Sequence, residues 1–116
     1  MSGPLEVAKL YFELSNKSDF EGIEKLFTPS TTYSSQTTGI YLGQDEIMTM
    51  QRAFHSKFSS LKWNVNSIKE IRPGVVLFDY AFVGEMPNGK KVKRSGLEYV
   101  IVYQEKIQHV EIRNKN

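Results

Sequence analysis

Residues 7–27 read VAKLYFELSNKSDFEGIEKLF, and their periodicity sets how the fold begins. Apolar side chains recur at Leu5, Ala8 and Phe12 and again at Val7, Leu10, Tyr11 and Leu14, forming two adjacent stripes at helical spacing. Pro4 suits a first helical position, so a helix with a wide buried face is predicted over 4–15. Ser18, Asp19, Phe20 and Glu21 read as a capping box: Ser18 can accept from the amide of Glu21 while that carboxylate reaches back. A second, short helix follows, with Phe20, Ile23, Leu26 and Phe27 inward, and Thr28-Pro29 ends it because a residue before proline is pushed out of the α region.

Beyond this stretch the chain turns β-rich. Thr31, Thr32 and Tyr33 favour a strand, and the segment from Gly39 to Gly43 reads as a short strand or turn. Asp45 and Glu46 complement a helix N-terminus, and Ile47, Met50, Phe54 and Phe58 recur at spacings of three and four, predicting a third helix over about 44–58. From Trp63 onward four strands are expected, separated by turns at Pro73-Gly74, at Pro87-Asn88-Gly89 and around Gln104-Glu105. No internal repeat or linker interrupts the 116 residues, so they are read as one domain, 1–116.

Composition removes several function classes. The chain has no cysteine, which excludes disulfide scaffolds, thiolate nucleophiles and cysteine-bound metals. A formal charge of +2 is too small to imply a polyanionic partner. Lys90, Lys91, Lys93 and Arg94 are read as a solvated strand edge, with no aromatic stacking platform to suggest nucleic acid. Neither a membrane span nor an export signal is evident, so a cytoplasmic location is the expectation. His55 and His109 lack metal-ligand spacing, and neither a glycine-rich phosphate loop nor a nucleophile elbow is present, so no metal or cofactor is expected.

Strand parity defines a pocket. A two-residue turn at Asn88-Gly89 would place Phe78 opposite Tyr99 and Tyr80 opposite Leu97. Phe78, Tyr80 and Phe82 would then share a concave face with Leu97, Tyr99, Ile101 and Tyr103, joined at the wide end by Tyr11, Tyr33, Ser34, Phe54, Phe58 and Trp63. The outer face would carry Val75, Leu77, Asp79, Ala81 and Val83 with Glu98, Val100 and Val102, an apolar surface that calls for a homodimer. In this register Asp79 and Glu98 oppose each other, needing Arg94 or Arg113 to neutralise them or else serving as a general acid and base. His55 is a further candidate base at the pocket rim.

This order of elements resembles the nuclear transport factor 2-like superfamily, in its SnoaL-like and ketosteroid-isomerase-like branches. The resemblance rests on Val7 to Phe27, on Gly43-Gln44-Asp45-Glu46-Ile47 and on Glu98-Tyr99-Val100-Ile101-Val102-Tyr103 leading to Lys106-Ile107. It implies an α+β, cystatin-like cone, with three N-terminal helices packed on a strongly curved, mostly antiparallel sheet. It also implies that Tyr11 stands where the isomerase branch has a tyrosine donor, and that the late-strand acid of that branch falls at Tyr99. The branch's aspartate base falls at Ser34 or Ser35, and an unactivated hydroxyl cannot remove a carbon-bound proton at neutral pH. Three readings follow: an apolar pocket for a small hydrophobic carbonyl or phenolic ligand; an isomerase, cyclase or dehydratase with a non-standard base; or a dimerisation module with a filled core.

Overall fold

The computed structural model of the chain describes residues 3–115. The elements run α1 (Pro4–Asn16), α2 (Phe20–Glu24), β1 (Thr32–Ser35), β2 (Gly39–Leu42), α3 (Gln44–His55), β3 (Ser60–Arg72), β4 (Val75–Glu85), β5 (Lys91–Tyr103) and β6 (Lys106–Asn114). The strands form one six-stranded sheet in the order β2-β1-β6-β5-β4-β3, in which β1 runs parallel to β6 and every other pairing is antiparallel. The helices lie against one side of it, and the architecture is the expected α+β cone.

The sheet curves because its strands are interrupted at defined places. Register shifts lie between Val65 and Ser67 and between Glu70 and Arg72 in β3, and opposite Ile101 and Val102 where β5 meets β6. Each leaves one residue unpaired and bends the strand. Two glycines on the inner face deepen the concavity. A Cβ on Gly84 would lie 2.6 Å from the Phe58 ring, and one on Gly96 would lie 2.7 Å from the Tyr80 hydroxyl. The core forms between α1 and the central strands, where the Phe12 and Phe78 rings stack with centroids 4.0 Å apart.

Three local expectations need correction. Ser18 does not cap α2. It ends α1 instead, in the left-handed region at φ 53°, with the amides of Ser18 and Asp19 donating to the carbonyls of Ser15 and Leu14, the bonding pattern of a helix closed by a Schellman motif. Asp19 is the cap, its carboxylate accepting from the amide of Gly22. The third helix stops at His55, so Phe58 leaves the helical stripe and folds beneath Gly84.

The third correction reverses one strand. The β4–β5 hairpin closes on Met86 and Lys90, whose amide and carbonyl are joined, and the loop holds three residues: Pro87, Asn88 and Gly89, the last at φ 88°. Three-residue loops with glycine in the left-handed region are a standard hairpin solution. The extra residue shifts β5 by one against the two-residue turn, pairing Phe78 with Glu98 and Leu77 with Tyr99. Because side chains alternate, all of β5 changes face. Glu98, Val100 and Val102 point inward and are buried, whereas Leu97, Tyr99 and Ile101 join Val75, Leu77, Ala81 and Val83 on the outer face.

Candidate functional site

Between α1, α3 and the inner face of the sheet lies a cavity of about 70 Å³. Side chains of Tyr11, Phe12 and Ser15 from α1 and of Met50, Gln51, Phe54 and His55 from α3 form its roof. Tyr33, Ser35, Trp63, Arg94, Glu98 and Ile112 line its sheet side. This is roughly half of the ~150 Å³ that admits benzene to an engineered apolar cavity. The enclosed part therefore suits the head of a ligand, not a large body. At its mouth, Thr37, Thr38, Met50 and Phe54 are shared with an open groove that continues along Ile40, Tyr41, Asp45, Glu46 and Lys57.

Glu98 is the most unusual group here. It is 3% exposed, lies centrally on β5, and makes no hydrogen bond to another side chain or amide among the described residues. Desolvation disfavours a lone charge, and burial pushes its carboxyl up to about 8. At neutral pH it is mostly a carboxylic acid, a group with an O–H to give.

Tyr11 faces the same void from α1. Gln51 Nε2 donates to its hydroxyl at 2.9 Å, so the Tyr11 oxygen accepts and its own proton remains available. Burial first, and the nearby Glu98 next, hold that hydroxyl well above the ordinary phenol range, against the opposing hydrogen bonds from Gln51 and Ser15. The Gln51 carbonyl oxygen is buried without a partner. A buried carbonyl left so costs about 1–3 kcal/mol. Tyr33 is raised in the same way by burial, and Tyr80, whose hydroxyl lies over Gly96, is pushed up to about 12 by burial.

His55, at the last turn of α3, lies at the aromatic end of the cavity. Its Nδ1 shares a 2.8 Å hydrogen bond with Ser18 Oγ, and its ring packs among Phe20, Phe54 and Trp63. Burial lowers its pKa to about 4, so it is neutral at physiological pH. The positive φ of Ser18 thus both ends α1 and holds this imidazole in place.

The expected pocket residues are divided by the geometry. Tyr11, Tyr33, Phe54, Trp63 and the rim candidate His55 line the cavity together. Phe78, Tyr80 and Phe82 share the inner face but form the packed wall behind it: Phe78 against Phe12, Phe82 against Trp63 at 4.9 Å. Phe58 packs on Phe54 and Phe82 outside the lining. Ser34 and Tyr99 are corrected to the outer face, where they pair in register with Glu111. Ser35, one residue on from Ser34, lines the cavity, its Oγ accepting from the amides of Thr37 and Thr38. Asp79 does not face Glu98. It stands on the outer face, where Lys115 and Asn66 hydrogen-bond it and hold its carboxyl below the usual range. Neither arginine neutralises it; Arg113 pairs with Glu111 and Arg94 faces the cavity.

One cavity side chain, Glu98, was expected on the wrong face, and another, Gln51, was missed. Glu98 was lost to the turn length, and the three-residue count from Pro87 to Gly89 is the signal that recovers it. Gln51 sits one turn from Ile47 and from His55 on the buried side of α3, a polar residue where helical spacing calls for an apolar one. Among the described residues, no three His, Asp or Glu side chains converge as metal ligands, and no helix is long and apolar enough to cross a membrane.

No family model matches the sequence, and no curated protein matches it. Solved structures do match in shape. A cystatin-fold protein from Novosphingobium aromaticivorans superposes with a TM-score of 0.86 at 14% identity, over 98% of this chain and 100% of its own. A ketosteroid isomerase-like protein from Catenulispora acidiphila, solved with trimethylamine, superposes with a TM-score of 0.83 at 11% identity, over 95% and 85%. A SnoaL-like polyketide cyclase candidate from Shewanella denitrificans superposes with a TM-score of 0.81 at 14% identity, over 97% and 90%. Likeness at this identity concerns shape, and by that shape the chain has the nuclear transport factor 2-like cone fold of the ketosteroid isomerase-like and SnoaL-like proteins.

Proposed function

We propose that this protein binds a small hydrophobic molecule by a carbonyl or phenol oxygen that sits between Tyr11 and Glu98. The observation that carries the reading is the pairing, in one void, of a buried carboxylic acid with no hydrogen bond to another side chain and a tyrosine hydroxyl that accepts from Gln51. Two O–H donors lining one buried void stabilise an electron-rich oxygen far better there than in water. They occupy the roles of the tyrosine and late-strand acid in the isomerase-like branch, with Glu98 in place of the expected Tyr99. The Catenulispora structure, with its small bound molecule, supports a ligand-holding use of this cone.

Binding is favoured over catalysis because the proton acceptor is weak. Of the two serines at the position of the branch's base, Ser34 is on the outer face and Ser35 has its hydroxyl engaged by two loop amides. His55 supports a second reading, an isomerase, cyclase or dehydratase acting on a hydrophobic ketone, since a neutral imidazole lines the cavity that holds an acid. A conjugate acid with a pKa of about 4 makes that imidazole a poor base for a carbon-bound proton.

Titration of 4-ethylphenol into the protein at pH 7, followed calorimetrically, tests the reading. Tyr11→Phe is expected to weaken binding about 10-fold and Glu98→Leu by 10-fold or more, each loss being one buried hydrogen bond of ~1–2 kcal/mol. Equal affinity in wild type and both variants would reject the donor roles. For the second reading, deuterium exchange at the α-carbon of 2-tetralone is the readout: acceleration over buffer that disappears in His55→Gln would establish catalysis.

The outer face is proposed to pair two copies of the chain. Val75, Leu77, Ala81, Val83, Leu97, Tyr99 and Ile101 share it, with Tyr103 65% exposed at its end. Val75, Leu77, Tyr99 and Ile101 adjoin on it, while Asp79 with Lys115 separates them from Ala81 and Val83, and an exposed apolar patch of this kind marks an interaction surface. Sedimentation equilibrium should report a dimer that Leu97→Asp converts to monomer; a monomeric wild type at 100 μM contradicts it.

A further inference from the structure

Arg94 has no function in the binding reading, yet it lies on the inner face of β5, four residues before Glu98 and on the same row. It lines the same cavity, and between the two stands Gly96, over which the Tyr80 hydroxyl lies. No hydrogen bond or ion pair engages its guanidinium among the described residues. The neighbouring basic side chains of the hairpin do not share this position, because Lys91 and Lys93 fall on the other face by alternation. Thr37 and Thr38 from the β1–β2 loop line the same cavity. Glu98 is the only acid lining the cavity among the described residues, and it stands about 13 Å away along the strand by Cα spacing. The acids of the adjoining groove, Asp45 and Glu46, are on the first turn of α3, and Glu46 is occupied by the amide of Leu42.

A guanidinium with open donors on the wall of a cavity is suited to a carboxylate, which it can grip with two parallel hydrogen bonds. We propose that Arg94 is the anion-recognising residue of the site, so that the ligand is an amphipathic acid: a carbonyl or phenol at one end, held by Tyr11 and Glu98, an apolar body, and a carboxylate at the mouth. This rests on the donor reading of Tyr11 and Glu98, and it narrows the ligand from any hydrophobic ketone or phenol to keto acids and hydroxyaryl acids. Arg94 also lowers the Tyr80 hydroxyl, against the larger upward effect of burial, which agrees with a guanidinium turned toward the inner wall.

The test compares 3-(4-hydroxyphenyl)propanoate with its uncharged amide by calorimetry at pH 7, in wild type, Arg94→Gln and Arg94→Lys. Wild type is expected to prefer the acid about 10-fold at 20 mM salt, with the preference shrinking at 500 mM as the exposed charge is screened. Arg94→Gln should bring the ratio close to one, and Arg94→Lys should keep a reduced preference, having charge without the fork. Wild type that binds 4-ethylphenol but shows no preference for the acid, or an unchanged ratio in Arg94→Gln, overturns the anion site and leaves the donor reading standing. If wild type binds neither 4-ethylphenol nor the acid, the donor reading falls and this proposal with it.

Discussion

Replacing Glu98 by glutamine is expected to stabilise the protein at pH 8 by about 3–5 kcal/mol relative to wild type, and by progressively less as pH falls toward 4.5. The sign follows from linkage. Burial raises the folded pKa of Glu98 to about 8, against about 4.3 in an unfolded chain, so the native state holds the extra proton between those values. Stability from this group is complete below about 4.3 and is lost as pH rises to 8. Glutamine keeps the size and a donor and has no charge to bury.

His55 acts in the opposite sense. Its folded pKa of about 4 lies below the unfolded value of about 6.5, so the unfolded chain takes up the proton first and stability falls as pH drops from 6.5 to 4. Between about 4.5 and 6.5 the two slopes cancel, and wild-type stability should be nearly level there and decline from 6.5 to 8. Glu98→Gln should instead rise from pH 4 to 6.5 and then stay level. Urea denaturation across pH 4–9 separates these profiles, and parallel curves for the two proteins would show that Glu98 is not desolvated.

Phe78→Ala should cost about 3–5 kcal/mol, lowering Tm by on the order of 15 °C, because it empties the centre of the core. Phe78 is 1% exposed and its ring is the one stacked on Phe12. Tyr99→Ala removes a ring of similar size from the neighbouring strand but from the outer face, and should cost only about 1 kcal/mol at protein concentrations low enough to prevent association. The contrast reports the register of β4 against β5. Equal losses would mean that both rings enter the core, as a two-residue turn requires.

The parts of this fold that were legible in the sequence are those encoded locally. The stripes around Val7, Tyr11 and Phe12, the glycines at 39 and 43, and the turns at Gly74 and Gly89 all depend on residues near each other along the chain. They recovered the order of the elements, and the cone came from the family resemblance of that order. What was lost depended on one count. Whether Pro87 belongs to the strand or to the loop moves every β5 side chain across the sheet, and so it exchanged Glu98 for Tyr99 in the site. Alternation alone could not settle it, because both faces of β5 are apolar: Leu97, Tyr99 and Ile101 on one, Val100 and Val102 on the other. Gln51 and Ser18 were illegible for another reason. Their partners, Tyr11 and His55, are 40 and 37 residues distant, and only the packed fold brings them together.

The donor pair in the cavity exists only while the buried carboxyl of Glu98 holds its proton. Side-chain carbon NMR of protein labelled at glutamate follows the carboxyl of Glu98 directly, with Glu98→Gln assigning its signal. Titration near pH 8 is the predicted result; a midpoint near pH 4.5 would mean a solvated carboxylate in the cavity, and the donor site would not exist.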